Sequence, residues 1–169
     1  AHGDVAFPGL HLRHETQRFS ILNINDVADA CLNVSQPVTQ KMSIKVTREL
    51  AQNIPICEGD FVLLRQAVLN LINNACQAMD DVKGPRELHV RTWREPEDIC
   101  ISVSDSGTGI PPELRTKIFD TFFSTKGERG TGLGLAAVKN IMRRHNGDVI
   151  VRESDSGGAE FVLRFPAKR

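Results

Sequence analysis

An excess of charge of either sign is missing: 21 Lys and Arg stand against 21 Asp and Glu, for a formal net charge of zero. That balance argues against a general nucleic-acid or anionic-membrane binder, because both kinds of binding rest on surplus cations. No apolar run approaches the roughly 18 residues that a transmembrane helix needs. No charged start followed by an apolar stretch marks a secretory leader. The initiator Met is also absent, which leads us to expect a processed or excised fragment. The four cysteines (Cys31, Cys57, Cys76, Cys100) form no C-x-x-C and have no paired His. A zinc site or disulfide framework is therefore disfavoured, and small buried hydrophobes in a reducing compartment are expected. Internal repeats and low-complexity segments are lacking too.

What is there suits one domain. Of 169 residues, 40% are hydrophobic and 25% charged, and a chain of this size buries roughly 70% of its unfolded surface without staples. Residues 1–19 lack sustained periodicity and read as a tail or upstream remnant, leaving 20–169 as the folded domain. Asn25, followed by Asp26 and Asp29, marks a helix start with an Asn cap, and Pro37 falls near its end. Met42, Ile44 and Val46 alternate with Ser43, Lys45 and Thr47, the pattern of a half-buried strand. Residues 54–59 read as a connector. Asp60 caps a helix from 61 to about 79, in which Leu64, Val68, Leu71, Ile72 and Ala75 recur at three and four residues. Gly84-Pro85 is a turn, and strands over 88–93 and 99–103 flank Pro96. A helix over 135–145 is stopped by Asn146-Gly147. Strands over 149–151 and 160–165 turn at Gly157-Gly158. This order predicts an α+β two-layer sandwich: a mixed, largely antiparallel sheet with helices on one face.

Three polar clusters exceed what a core needs. Asn70 and Asn74 lie one turn apart on one helix face, although Asn is a poor helix-interior residue. Their amide oxygens suit a hard cation or a phosphate-side role; a solvated stripe is the plainer reading. Ser104-Asp105-Ser106-Gly107-Thr108-Gly109-Ile110 directly follows an apolar strand. A carboxylate there can accept a hydrogen bond from an exocyclic amine, which separates adenine from guanine, and the two glycines allow positive φ and close approach of a flat ligand. A simple turn is the alternative. Gly127-Glu128-Arg129-Gly130-Thr131-Gly132-Leu133-Gly134 leads into a helix, whose N-terminal N–H groups attract anions. It is not a P-loop, since Leu133 stands where Lys is required. Gly132, Gly134 and Ala137 fit a dinucleotide pattern with Glu153 near the ribose distance, but no strand precedes them. His14-Glu15 lacks the second His of a zinc-protease motif, and no G-x-S-x-G elbow occurs. His145 reads as a helix-end residue favoured by the dipole. Phe119, Phe122 and Phe123 read as core or as anchors of a mobile loop.

In order and together, these segments resemble the ATP-binding catalytic domain of bacterial sensor histidine kinases, in the superfamily shared with gyrase and heat-shock chaperone ATPases. Asn70-Leu71-Ile72-Asn73-Asn74-Ala75 looks like the N box, and Asp105-Ser106-Gly107-Thr108-Gly109-Ile110 like the first glycine box. Phe119-Asp120-Thr121-Phe122-Phe123 looks like the F box, and Gly130-Thr131-Gly132-Leu133-Gly134-Leu135 like the second glycine box. Gly157-Gly158-Ala159-Glu160-Phe161 matches the closing turn and strand. Phe-Phe-Ser-Thr-Lys and Gln77-Ala78-Met79 resemble the nitrogen-regulation type.

The resemblance implies ATP and Mg²⁺ as ligands. Asp105 would bind the adenine amine, with Gly107, Gly109 and Ile110 beside it. Asn74 would hold Mg²⁺ and Asn70 the phosphate side. Gly130, Thr131, Gly132, Leu133 and Gly134 would approach the triphosphate, with Thr125 nearby and Lys126 as the candidate γ-phosphate contact; no residue is assigned as certainly catalytic. The segment between Ile110 and Gly130 would be an ATP lid. Gln77 stands where many members carry Lys. ATP-hydrolysing relatives place a Glu general base where this chain has Asn70, so slow hydrolysis and phosphoryl transfer to an outside nucleophile are implied. That nucleophile would be a histidine on a separate dimerisation and phosphoacceptor hairpin, His14 being a poor match, with a response regulator downstream. No nucleic acid and no direct membrane contact are implied, and the site of action is cytoplasmic whether or not the parent protein is membrane-anchored. An ATP-sensing module without kinase activity and a serine-directed kinase of the same fold are the alternatives.

Overall fold

Two long apolar stripes become helices laid across one face of a mixed sheet; the computed structural model describes residues 18–123 and 134–168. The main sheet has the order β2-β4-β5-β7-β6, built from β2 (Lys45–Glu49), β4 (Glu87–Arg94), β5 (Asp98–Asp105), β6 (Asp148–Glu153) and β7 (Ala159–Pro166). β2 and β4 run parallel, and the remaining pairings are antiparallel. A separate antiparallel pair joins β1 (Ser20–Leu22) to β3 (Cys57–Gly59). Helices α1 (Ile24–Lys41), α2 (Phe61–Ala78) and α3 (Gly134–Arg144) cover the sheet. This is the sandwich that the sequence order implies. No helix among the described residues is long and apolar enough to cross a membrane.

Register explains why the core forms where it does. Val90 faces Val103, Val103 faces Phe161, and Phe161 faces Val151, giving one apolar row across four strands. That row belongs to the same buried cluster as Leu64, Val68, Leu71, Ile72 and Ala75 of α2. Because side chains alternate along a strand, Asp105 falls on the same face as Val103 and Ile101. A carboxylate is thereby carried to the end of the central strand on the helix side of the sheet. The cysteines are free and buried as expected; burial alone pushes the Cys57 thiol up to about 11.

Several local expectations shift. Asn23, not Asn25, caps α1, its side chain accepting from Asn25 N at 2.8 Å. Pro37 does fall near the end of that helix, about one turn before Lys41; its ring is exposed, while Ser35 and Thr39 stay buried against the core. β2 begins at Lys45, after Ser43 has turned through φ 57, so the alternation of Met42 and Ile44 belongs to the approach to the strand. The connector at 54–59 contains β3, too short to announce itself. Asp60 does cap α2, accepting from Leu63 N at 3.2 Å.

His145 is the larger correction. A helix dipole favours a cation at this end, yet the ring is only 4% exposed. Asp60 N donates to His145 Nε2 at 3.0 Å, so Nδ1 carries the proton and donates to Ile141 O at 2.8 Å. Phe19 stacks on the ring at 4.8 Å. Burial holds the imidazole below its ordinary value of 6.5, against the pull of Asp60 and with the push of Arg144. The unfolded chain therefore takes up this proton more readily than the folded one, and stability should fall as pH drops below about 6.5. Urea unfolding of the parent and of His145→Gln at pH 7.5 and pH 5 checks this. The parent should lose more stability than the variant over that interval, and equal losses would contradict the neutral ring.

Candidate functional site

Asp105, 1% exposed, ends β5 at a place where the β5–β7 ladder has run out: the last pair is Ser104 with Glu160. Its Oδ1 accepts from Gly107 N at 2.8 Å and from Ala159 N at 3.2 Å. Two main-chain donors thus fix the carboxylate in a single orientation, which is what recognition of a flat amine-bearing ring requires. The glycines around it act differently from expectation. Gly109 does take positive φ (+76), but Gly107 is needed for packing, since a Cβ there would lie 2.6 Å from Ala78 O at the end of α2. Gly158 presses in from the opposite side; a Cβ on it would lie 2.4 Å from Asp105 Oδ1. Ile110 packs half-buried against the core, and its carbonyl accepts from Arg115 Nε at 3.1 Å.

The other end of the site is built on α2. Asn70 and Asn74 are half-buried on one face, whereas Asn73 and Gln77 are exposed. Asn70 Nδ2 donates to Gly134 O at 3.2 Å, joining the Asn face to the first residue of α3. At 1.5 Å rise per residue, about 12 Å of helix separates this contact from the Ala78–Gly107 contact. Asn70, Asn74 and Ala78, four residues apart in turn, follow one face of α2, with Gly134 at one end of it and Gly107 at the other. Cys76 lines the inner side of the same helix: burial first, and the nearby Asp105 charge second, push its thiol up. Thr125, Lys126, Gly130, Thr131, Gly132 and Leu133 lie outside the described residues, as does His14.

Among the described residues no group of three His, Cys, Asp or Glu side chains could hold a metal. A neutral amide oxygen such as that of Asn74 is a hard donor, compatible with a cation whose other ligands are water and phosphate oxygens. Phe119 is half-buried edge-on to Phe161 with centroids 6.2 Å apart, and Ile118 is buried. Phe122 is 75% exposed at φ 68, so the three phenylalanines divide between core and surface.

Sequence reasoning missed the residues behind Asp105. Ser154, Ser156, Gly158 and Ala159 approach it from the β6–β7 turn. The Gly157-Gly158 pair signalled the turn, but nothing local signals that a turn closes on a strand end some fifty residues away.

The sequence model described as histidine kinase-, DNA gyrase B- and HSP90-like ATPase matches residues 59–169. The C4-dicarboxylate transport sensor protein DctS of Rhodobacter capsulatus is 31% identical over 158 residues, covering 92% of this chain and 24% of that protein. The chain therefore spans about a quarter of that relative's length. Among solved structures, the catalytic domain of histidine kinase ThkA superposes with a TM-score of 0.79 at 27% identity, covering 90% of this chain and 99% of that one. Full-length ShkA in complex with AMPPNP gives a TM-score of 0.79 at 25% identity, covering 90% of this chain and 32% of that one.

Proposed function

Because the chain belongs to the histidine kinase-, DNA gyrase B- and HSP90-like ATPase family, we propose that it is the ATP-binding catalytic domain of a sensor histidine kinase, extending over residues 20–169. It donates the γ-phosphoryl of ATP to a histidine on a separate dimerisation domain, from which a response regulator is phosphorylated. The observation that carries the reading is one helix with a different recognition group near each end: the buried Asp105 carboxylate, bonded to Gly107 where that glycine packs on Ala78, and Asn70 bonded to Gly134.

Asp105 accepts from the adenine 6-amine and would reject the guanine 6-carbonyl. The N–H groups at the start of α3 would meet the triphosphate, and Gly130, Gly132 and Gly134 would let it approach the backbone. Asn74 would hold Mg²⁺, and Lys126 would meet the γ-phosphate. When bound, the metal neutralises charge that builds on the transferring phosphoryl group. Asn70 takes up no proton at neutral pH, so no side chain at its position activates water, and the phosphoryl group awaits a nucleophile brought from outside. A need for ATP supports a cytoplasmic site of action.

The test is γ-labelled ATP incubated with the chain and a phosphoacceptor hairpin domain supplied in trans. Acid-labile label on the acceptor is expected. Acid-stable label would point to hydroxyl transfer, and no label to an ATP-sensing module. In parallel, Asn74→Ala should lose the Mg²⁺-dependent part of the ATP affinity measured by calorimetry. Parental affinity in the presence of magnesium would remove Asn74 from the metal site.

A further inference from the structure

Asp105 sits where an ordinary strand would simply end. One step beyond the last β5–β7 pair, Ala159 would face it, but Ala159 gives its N–H to the Asp105 side chain at 3.2 Å rather than extending the ladder. The Asp105 main-chain carbonyl is instead taken by the β6–β7 turn. Ser154 Oγ donates to it at 2.7 Å and Ser156 Oγ at 3.1 Å. Ser154 Oγ also accepts from Gly158 N at 3.0 Å, and Ser154 N donates to Gly158 O at 2.9 Å. One buried hydroxyl, on a residue 6% exposed, therefore holds both the backbone of Asp105 and the glycine that precedes the carboxylate's donor, Ala159.

Starting from the proposed role of Asp105 in reading adenine, we propose that Ser154 is a positioning residue for base recognition: its hydroxyl aims the Asp105 carboxylate at the exocyclic amine. Without it, the N–H of Gly158 loses its side-chain partner in a dry site, and the carbonyl of Asp105 loses the shorter of its two serine donors. Such groups are costly to leave unsatisfied, and the strand end would rotate to find other partners. The carboxylate moves with its backbone, and an interaction dependent on direction is lost first.

A structural role alone would loosen the site for any nucleotide, whereas an aiming role acts only on nucleotides that carry the amine. Calorimetric titration of the parent and Ser154→Ala with ATP and with purine riboside triphosphate, which lacks the 6-amine, separates the two. Ser154→Ala should weaken ATP about 5- to 10-fold while leaving the amine-free nucleotide close to its parental affinity. Comparable losses on both nucleotides, or no loss on ATP, would overturn the proposal. If Ser154→Ala does not fold, Ser156→Ala removes the second hydroxyl from the same carbonyl at an exposed position. It is read by the same ratio, with an amine-dependent loss of about twofold expected and equal affinities for parent and variant counting against the proposal. Asp105→Asn is measured alongside. If it keeps full ATP affinity, adenine reading by Asp105 is itself wrong; if it loses affinity and the serine variants show no amine-dependent loss, only the role of Ser154 falls.

Discussion

Asp105→Asn should weaken ATP binding by about 10- to 100-fold, the factor expected when a hydrogen bond to a charged group is lost. The substitution is nearly isosteric. Its amide oxygen can keep the bonds from Gly107 N and Ala159 N that Asp105 Oδ1 now accepts, so the strand end stays in place and urea unfolding should change little. What changes is the second oxygen, which becomes an NH₂ group. A donor then confronts the donor amine of adenine, and the variant should gain relative affinity for nucleotides with a 6-carbonyl, GTP and ITP. Calorimetry with ATP, GTP and ITP checks both parts. ATP affinity within twofold of the parent's would mean that Asp105 does not read the base.

The same residue shows how far a sequence can be read. Periodicity located α2 and its buried stripe because Leu64, Val68, Leu71, Ile72 and Ala75 pack on neighbours set by local geometry alone. The strands around Pro96 and Gly157-Gly158 were legible for the same reason: their alternation and their turns are local signals. Asp105 was legible as chemistry, being a carboxylate after an apolar run and before glycines. Its surroundings were not. Gly158, Ser154 and Ala159 reach it across β7 through a register that no short window encodes. His145 failed in the same way. Its position at the end of α3 suggested a dipole-stabilised cation, but the tertiary contact with Asp60 N made it a buried acceptor. β1 and β3 are held by each other rather than by their own propensity, which is why residues 54–59 read as a connector. Local pattern thus supplied the layers and one face of the site, and long-range register supplied its back wall.

That back wall can be tested at its tightest point. Gly158→Ala adds one methyl where a Cβ would lie 2.3 Å from Asp105 O, 2.4 Å from Asp105 Oδ1 and 2.6 Å from Gly107 N. Two of these neighbours are backbone atoms, so no side-chain rotation relieves the overlap, and the first glycine box must part from β7. Overpacking of this kind costs about 1–3 kcal/mol, a fall of roughly 2–10 °C in Tm for a chain of this size. ATP affinity should fall at least as far as in Asp105→Asn, because the carboxylate is displaced and its Ala159 donor is carried away with the strand. Gly84→Ala is the control, since nothing lies within 4 Å of a Cβ there, and it should match the parent in both measurements. The double variant Asp105→Asn, Gly158→Ala should bind ATP scarcely worse than Gly158→Ala alone, because both substitutions act on one carboxylate and neighbours of this kind do not add. Additive losses would mean that Gly158 supports the nucleotide by a route independent of Asp105. Parental stability and affinity in Gly158→Ala would mean that the turn does not brace the carboxylate at all.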